Sequence, residues 1–241
     1  MPVNAVPVKA ARDPATPVYD HAAAVLRGFY DRRISSPPVL DPTAHFRGHA
    51  RFEGGAQAMR DEALHIAREL GSVPRFHELM PQQASISNQD ARDWRMLVVK
   101  AYGVTVKANA RRCPVLARHA AADPDVLSAA YSFLAPGKKV PEHRGPFRGV
   151  LRYYLGLCVP PDAIGRPGTV LTIAGTEHRI ANGKALLWDD TYVHAVRNDT
   201  LQVRIALLLD VRRRGMPREL EILSRIIIAA AGLAVRIRRV A

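Results

Sequence analysis

Apolar residues recur at helical spacing between Val18 and Arg33, at Ala22, Val25, Leu26, Phe29 and Tyr30. Ser35-Ser36-Pro37-Pro38 and Asp41-Pro42 then break the chain. The spacing predicts a second amphipathic helix from about Gly55 to Leu70, with Ala58, Met59, Ala63, Ile66 and Leu70 inward and Gly71 as its stop. Beyond the polar stretch Gln82–Asp93 the texture changes. Trp94–Tyr102 is short, apolar and partly β-branched, and Gly103 ends it, which reads as a strand. Cys113–Ala122 reads as a helix, with Pro114 tolerated in the first turn. Candidate strands follow near Ala130–Leu134, Val150–Val159, Thr169–Ile173, Ala185–Trp188 and Leu201–Val211, punctuated by Pro136-Gly137 and Asn182-Gly183. Short strands at this density, without long helices between them, predict a mainly β sandwich or jelly roll with flanking helices. The expected organisation is a loose arm over 1–17, a helical region over 18–90 packed on the core, a β core over 91–215 and a basic amphipathic helix over 216–241.

Composition narrows the partners without choosing one. With 48% hydrophobic residues the chain can bury a sizeable core, which excludes disorder along its length. Lys and Arg number 35 against 22 Asp and Glu, a formal charge of +13 that favours nucleic acid, an anionic membrane surface or acidic small molecules. Nothing resembles a nucleic-acid-binding module, and no nucleic acid is expected. Two cysteines, Cys113 and Cys158, make neither a disulfide framework nor a zinc spacing, so a reduced cytoplasmic setting is expected. Met1–Pro17 lacks the apolar segment of a signal peptide, and no apolar run reaches the ~20 residues of a membrane span. The run Ile226–Val235, bounded by Arg225 and Arg236, fits either a core helix or one lying at the headgroup boundary of an anionic membrane. The second alternative would put the protein peripherally on the inner face of the membrane.

Nine histidines leave room for metal ligation. His45, His49, His65, His77 and His119 lie in helical or polar stretches without a recurring ligand partner. His143 precedes one predicted strand and His194 follows another, with Arg204 on the next. Two imidazoles on separate β elements suit Fe(II) at the mouth of a barrel. Alternation leaves open which face Arg204 takes.

Several motifs in order carry a resemblance. Ser132-Phe133-Leu134-Ala135-Pro136-Gly137, His143-Arg144-Gly145-Pro146 and Leu151-Arg152-Tyr153-Tyr154-Leu155-Gly156-Leu157 resemble the aspartyl/asparaginyl β-hydroxylase family. So do Trp188-Asp189-Asp190-Thr191-Tyr192-Val193-His194 and Arg204-Ile205-Ala206-Leu207-Leu208-Leu209-Asp210-Val211. The likeness covers roughly residues 75–215, and its wording is closest to the bacterial lipid A hydroxylase branch. It implies a double-stranded β-helix (cupin-like) core and an Fe(II)- and 2-oxoglutarate-dependent dioxygenase with dioxygen as second cosubstrate. Carried over by residue, His143 and His194 would bind iron, and Arg204 would clamp the distal carboxylate of 2-oxoglutarate with Ser132 beside it. Arg152 would meet the iron-chelating end of that cosubstrate. The usual triad's carboxylate position is Gly145 here, as in the family's peptide hydroxylases; water would complete the face, with Glu142 and Asp190 as conceivable substitutes. Tyr154 stands where the family commonly has histidine; it keeps a hydrogen-bond donor but titrates near ~10 rather than ~6.5. Three functions follow: hydroxylation of a membrane-lipid acyl chain (lipid A-like or aminoacyl lipid), β-hydroxylation of Asp or Asn, or binding without turnover.

Overall fold

A computed structural model describes residues 16–237. The first segment runs α1 (Thr16–Asp31), β1 (Val39–Leu40), α2 (Pro42–His45), α3 (His49–Gly54), α4 (Ala56–Ala67) and α5 (Phe76–Leu79). The next runs β2 (Trp94–Ala101), β3 (Val104–Thr105), α6 (Lys107–Arg112), α7 (Pro114–Ala121), β4 (Val126–Leu134), β5 (Lys139–His143) and β6 (Val150–Cys158). Then come β7 (Thr169–Ile173), β8 (Thr176–His178), β9 (Ala185–Trp188), β10 (His194–Asn198), β11 (Arg204–Arg212) and α8 (Arg218–Ile237).

The strands form two antiparallel sheets, ordered β1-β9-β6-β11-β4-β2-β3 and β5-β10-β7-β8. From β4 onward the chain passes repeatedly between the sheets, which makes the core a double-stranded β-helix with flanking helices. Strand alternation gives the larger sheet two apolar faces. Leu97, Tyr131, Phe133, Leu155, Leu207 and Leu209 meet Phe52, Met59, Ala63 and Leu116 from the helices on one side. On the other, Trp94, Met96, Ala130 and Leu134 meet Val140 and Val196, while Tyr154, Trp188 and Ala206 meet Leu171 and Ile173. The second face is the interior between the sheets, where the site lies.

A carboxylate ties the helical layer to the sheet. Glu62 of α4 accepts from the backbone N–H of Val115 (2.7 Å) and Leu116 (3.0 Å), the orphan donors at the start of α7, and from the Tyr131 hydroxyl (2.7 Å). Glu62→Ala is expected to lower stability by about 2–3 kcal/mol in urea unfolding, because charged hydrogen bonds are lost and a buried hydroxyl is left unpaired. An unchanged midpoint would remove Glu62 from this role.

Several expected boundaries move. The strand expected at Leu201 begins at Arg204, since Leu201 is 95% exposed in a turn where the Thr200 hydroxyl donates to Gln202 O. The second helix ends at Ala67, and Ala58 faces solvent instead of the core. On α1, Ala23 and Tyr30 are buried while Val25 and Phe29 are exposed. That helix begins at Thr16, two residues inside the expected arm; residues 1–15 of the arm and 238–241 of the tail lie outside the described residues. The ten-residue apolar tail is the middle of a 20-residue helix. Its Leu220, Ser224, Ile228 and Gly232 are buried and its remaining faces are largely open. Among the described residues, no helix is long and apolar enough to cross a membrane.

Candidate active site

His143 ends β5 and His194 begins β10, and the two strands pair so that these residues stand opposite each other. Their ring centroids are 4.1 Å apart. Each Nδ1 is set against a backbone carbonyl, 2.8 Å from Pro141 O for His143 and 2.9 Å from Tyr192 O for His194. A neutral ring donating through Nδ1 keeps its Nε2 lone pair free, the form a metal requires. Burial favours that form: it lowers the His143 pKa and, joined by the His143 charge, brings His194 down to about 3. Among the described residues no group of three or more His, Cys, Asp or Glu side chains could hold a metal.

The position two residues past His143 carries no side chain, and another residue fills its space. A Cβ built on Gly145 would fall on the Asp190 carboxyl group. Gly145 N–H donates to Asp190 O at 2.7 Å, which fixes the two backbones together. Asp190 Oδ2 accepts from Arg152 at 3.3 Å, whereas buried Oδ1 has no partner among the described residues. Burial pushes the Asp190 pKa up to about 7 against the pull of Arg152. Glu142, the other carboxylate considered from sequence, is exposed.

On the larger sheet, alternation turns Ser132, Arg152, Tyr154 and Arg204 to the interior face, because their neighbours Phe133, Tyr153, Leu155 and Ile205 belong to the outer core. Arg204 is 3% exposed; its Nη1 donates to Ser132 O and Oγ, each at 3.3 Å, and its guanidinium lies 5.6 Å from the Tyr154 ring centre. Its Nε has no partner among the described residues. No carboxylate of the described residues pairs with it, and burial lowers its pKa with Tyr154 alone opposing. A buried guanidinium without a counter-ion is costly unless a ligand supplies the anion. Ser132 Oγ also accepts from Trp94 Nε1 at 3.0 Å, so its own hydrogen is free to donate. Arg152 already has two partners, Asp190 at 3.3 Å and Asp210 at 2.9 Å.

The family model for "Aspartyl/Asparaginyl beta-hydroxylase" matches residues 53–214, about two thirds of the chain. The chain belongs to that family. The β-hydroxylase-family segment thus contains every residue of the site. Similar proteins include the "Ornithine lipid ester-linked acyl 2-hydroxylase" of Rhizobium tropici, 33% identical over 181 residues, which are 74% of this chain and 61% of that protein. The human "Aspartate beta-hydroxylase domain-containing protein 2" is 30% identical over 122 residues, 48% of this chain and 31% of its own. The human "Aspartyl/asparaginyl beta-hydroxylase" is 32% identical over 95 residues, 36% of this chain and 12% of its own. The match therefore spans about three fifths of the lipid enzyme's length and far less of the human proteins.

Within this β-hydroxylase-family core, sequence reasoning missed the scaffold that holds the Asp189–His194 turn. Asp189 is fully buried and accepts from Arg148 Nε (2.7 Å), Arg213 Nη2, and both the backbone and hydroxyl of Thr191 (3.1 and 2.6 Å). Arg148 continues to Asp31 at 2.6 Å and the Tyr192 hydroxyl at 3.2 Å. From α1, Arg27 donates to Gly145 O at 3.1 Å. The available signal was charge inside apolar strings, as in Pro146-Phe147-Arg148-Gly149-Val150 and Leu187-Trp188-Asp189.

Proposed function

We propose that this chain is an Fe(II)- and 2-oxoglutarate-dependent dioxygenase that hydroxylates a C–H bond on the acyl chain of a membrane lipid. The observation carrying the chemistry is Arg204: a buried cation with no carboxylate partner among the described residues, on the interior face of the larger sheet, while the smaller sheet carries the paired His143 and His194. When bound, iron and 2-oxoglutarate supply dioxygen activation, with the oxo acid decarboxylated to succinate as substrate carbon gains oxygen.

The chain's own groups divide the remaining tasks. His143 and His194 would give their Nε2 lone pairs to the metal, with Nδ1 of each ring set against Pro141 O and Tyr192 O. Arg204 offers a planar fork to the distal carboxylate, and the Ser132 hydroxyl donates to the same group. Tyr154 packs against that guanidinium, and burial raises its pKa, so the phenol keeps its proton. Arg152 would meet the chelating end of the cosubstrate, and its charge disfavours protonation of both histidines. Asp190 Oδ1 is a buried acceptor without a partner among the described residues, in the space a side chain at Gly145 would take. Leu171, Ile173, Trp188 and Ala206 line the interior with apolar surface that excludes water.

Arg204→Lys is expected to raise the KM for 2-oxoglutarate at least ~10-fold with a smaller effect on kcat, since an ammonium cannot reproduce the bidentate fork. An unchanged KM would sink the clamp. The lipid assignment draws on the likeness to the Rhizobium tropici enzyme. Mass spectrometry of cellular lipids, with the parent chain and with His194→Ala, is expected to show a one-oxygen gain on an acyl chain only with the parent. The likeness to the human aspartyl/asparaginyl enzyme favours a second reading, β-hydroxylation of Asp or Asn. Oxygen gained by an Asp- or Asn-containing peptide, with lipids untouched, would replace the first reading by the second.

A further inference from the structure

The helix α8 has three rows of residues with different chemistry. Leu220, Ser224, Ile228 and Gly232, spaced by four, are buried against the body. Gly232 permits the close approach, since a Cβ there would meet Tyr102 O at 2.7 Å. On the opposite side Ile222, Ile226, Leu233 and Ile237 are 51%, 60%, 58% and 60% exposed, with exposed Ala229 and Ala230 between them. Intervals of four, seven and four keep these residues on one stripe, about 22 Å long at the helical rise. The third row is Arg218, Arg225 and Arg236, which the same periodicity aligns along one border of the stripe.

That border opens on a cleft of about 370 Å³ between α8 and the β2–β3 turn. Lys100, Arg212, Arg225 and Arg236 bring four cations to it, and Leu127 and Ile228 form apolar wall. Arg225 and Arg236 have no ion-pair or hydrogen-bond partner among the described residues. α1 shares a core with α8 through Tyr30 and Leu220, and it too leaves apolar residues open: Val18, Val25 and Phe29 are 72%, 62% and 42% exposed. Arg33 lies 5.0 Å over the Phe29 ring.

We propose that this face of α8 docks on the surface of an anionic phospholipid bilayer, with the apolar stripe entering the acyl boundary and the cation-lined cleft receiving a lipid headgroup phosphate. An exposed apolar row bordered by arginines suits a helix lying in the interface plane, where acyl chains cover the row and anionic headgroups meet the arginines. A second copy of the chain is the poorer occupant. Antiparallel pairing of two stripes about a two-fold axis would bring arginine borders together in a protein of net charge +13, and the acids of α8 are confined to Glu219 and Glu221 in its first turn. The inference stands on α8 and its cleft, apart from the iron reading.

The test is flotation of the full chain with vesicles of phosphatidylcholine alone and of phosphatidylcholine with an equal share of phosphatidylglycerol. The parent is expected to partition at least ~10-fold more strongly onto the mixed vesicles, an advantage that falls with added salt. Two double variants, Ile226→Ser with Leu233→Ser and Arg225→Glu with Arg236→Glu, should each lose at least ~10-fold of that binding. Both should retain the parent's melting temperature and rate of succinate formation, because the altered side chains are exposed. Equal partition onto both vesicle types, undiminished binding by the variants, or a dimer that covers the stripe and ignores vesicles would each overturn the proposal.

Discussion

His143→Ala or His194→Ala is expected to cut succinate formation from 2-oxoglutarate by more than about 100-fold, since losing a ligand must exceed the 10–100-fold typical of losing its supporting partner. The loss should be large because only two imidazoles are available: no third carboxylate or thiolate among the described residues can hold the metal when one ring goes. Each ring also has its own backbone carbonyl, so neither substitution frees the other to reorient. The check pairs turnover with Fe(II) affinity measured by calorimetry and with circular dichroism. Both rates and affinities should fall together in a chain that stays folded. Parent-level iron binding in either variant would strike that histidine from the centre.

Asp189→Ala should be the most destabilising single change near the site, costing about 3–5 kcal/mol. Arg148 and Arg213, each 6% exposed, converge on this one carboxylate, and its removal leaves two buried guanidinium groups short of charge. At roughly 2–4 °C per kcal/mol for a chain of this size, melting should drop by about 6–20 °C. The matched control is Asp199→Ala, whose partner Arg197 is 32% exposed and whose loss should cost under about 1 kcal/mol. If the two variants melt alike, the buried network does not hold the turn. Arg148 also reaches Asp31 on α1, so loss of Asp189 should also loosen the helix that covers this side of the core.

The longer apolar strands were legible because β2, β6, β7, β9 and β11 consist largely of buried Val, Leu, Ile and aromatic residues, whose run length signals a core strand. β5 and β10 were not. Lys139–His143 contains a proline and two charges, and His194–Asn198 has two apolar residues among five. These strands exist because β10 pairs with β5 on one side and β7 on the other, a fact of tertiary arrangement that local composition does not encode. The same gap hid the register that sets His143 opposite His194. It also hid the face taken by Arg204, which follows only once Ile205 is known to join the helix-side core. Sequence similarity supplied these residues in order; their mutual placement needed strand pairing. The Arg148–Asp189–Arg213 cluster was illegible for another reason, since its charges come from three separate stretches of chain.

The overlap between the Asp190 carboxyl and the space above Gly145 has a bearing on how such a centre can change over generations. One slot accepts one acid, reachable from either of two positions. An aspartate gained first at 145 would crowd its occupant and force apart two backbones joined through Gly145 N–H and Asp190 O. A smaller residue gained first at 190 would vacate the slot and take a partner from Arg152. The two sites therefore mutate non-additively, and the passage between a metal centre with its own acidic ligand and one without is open in one order more readily than in the other.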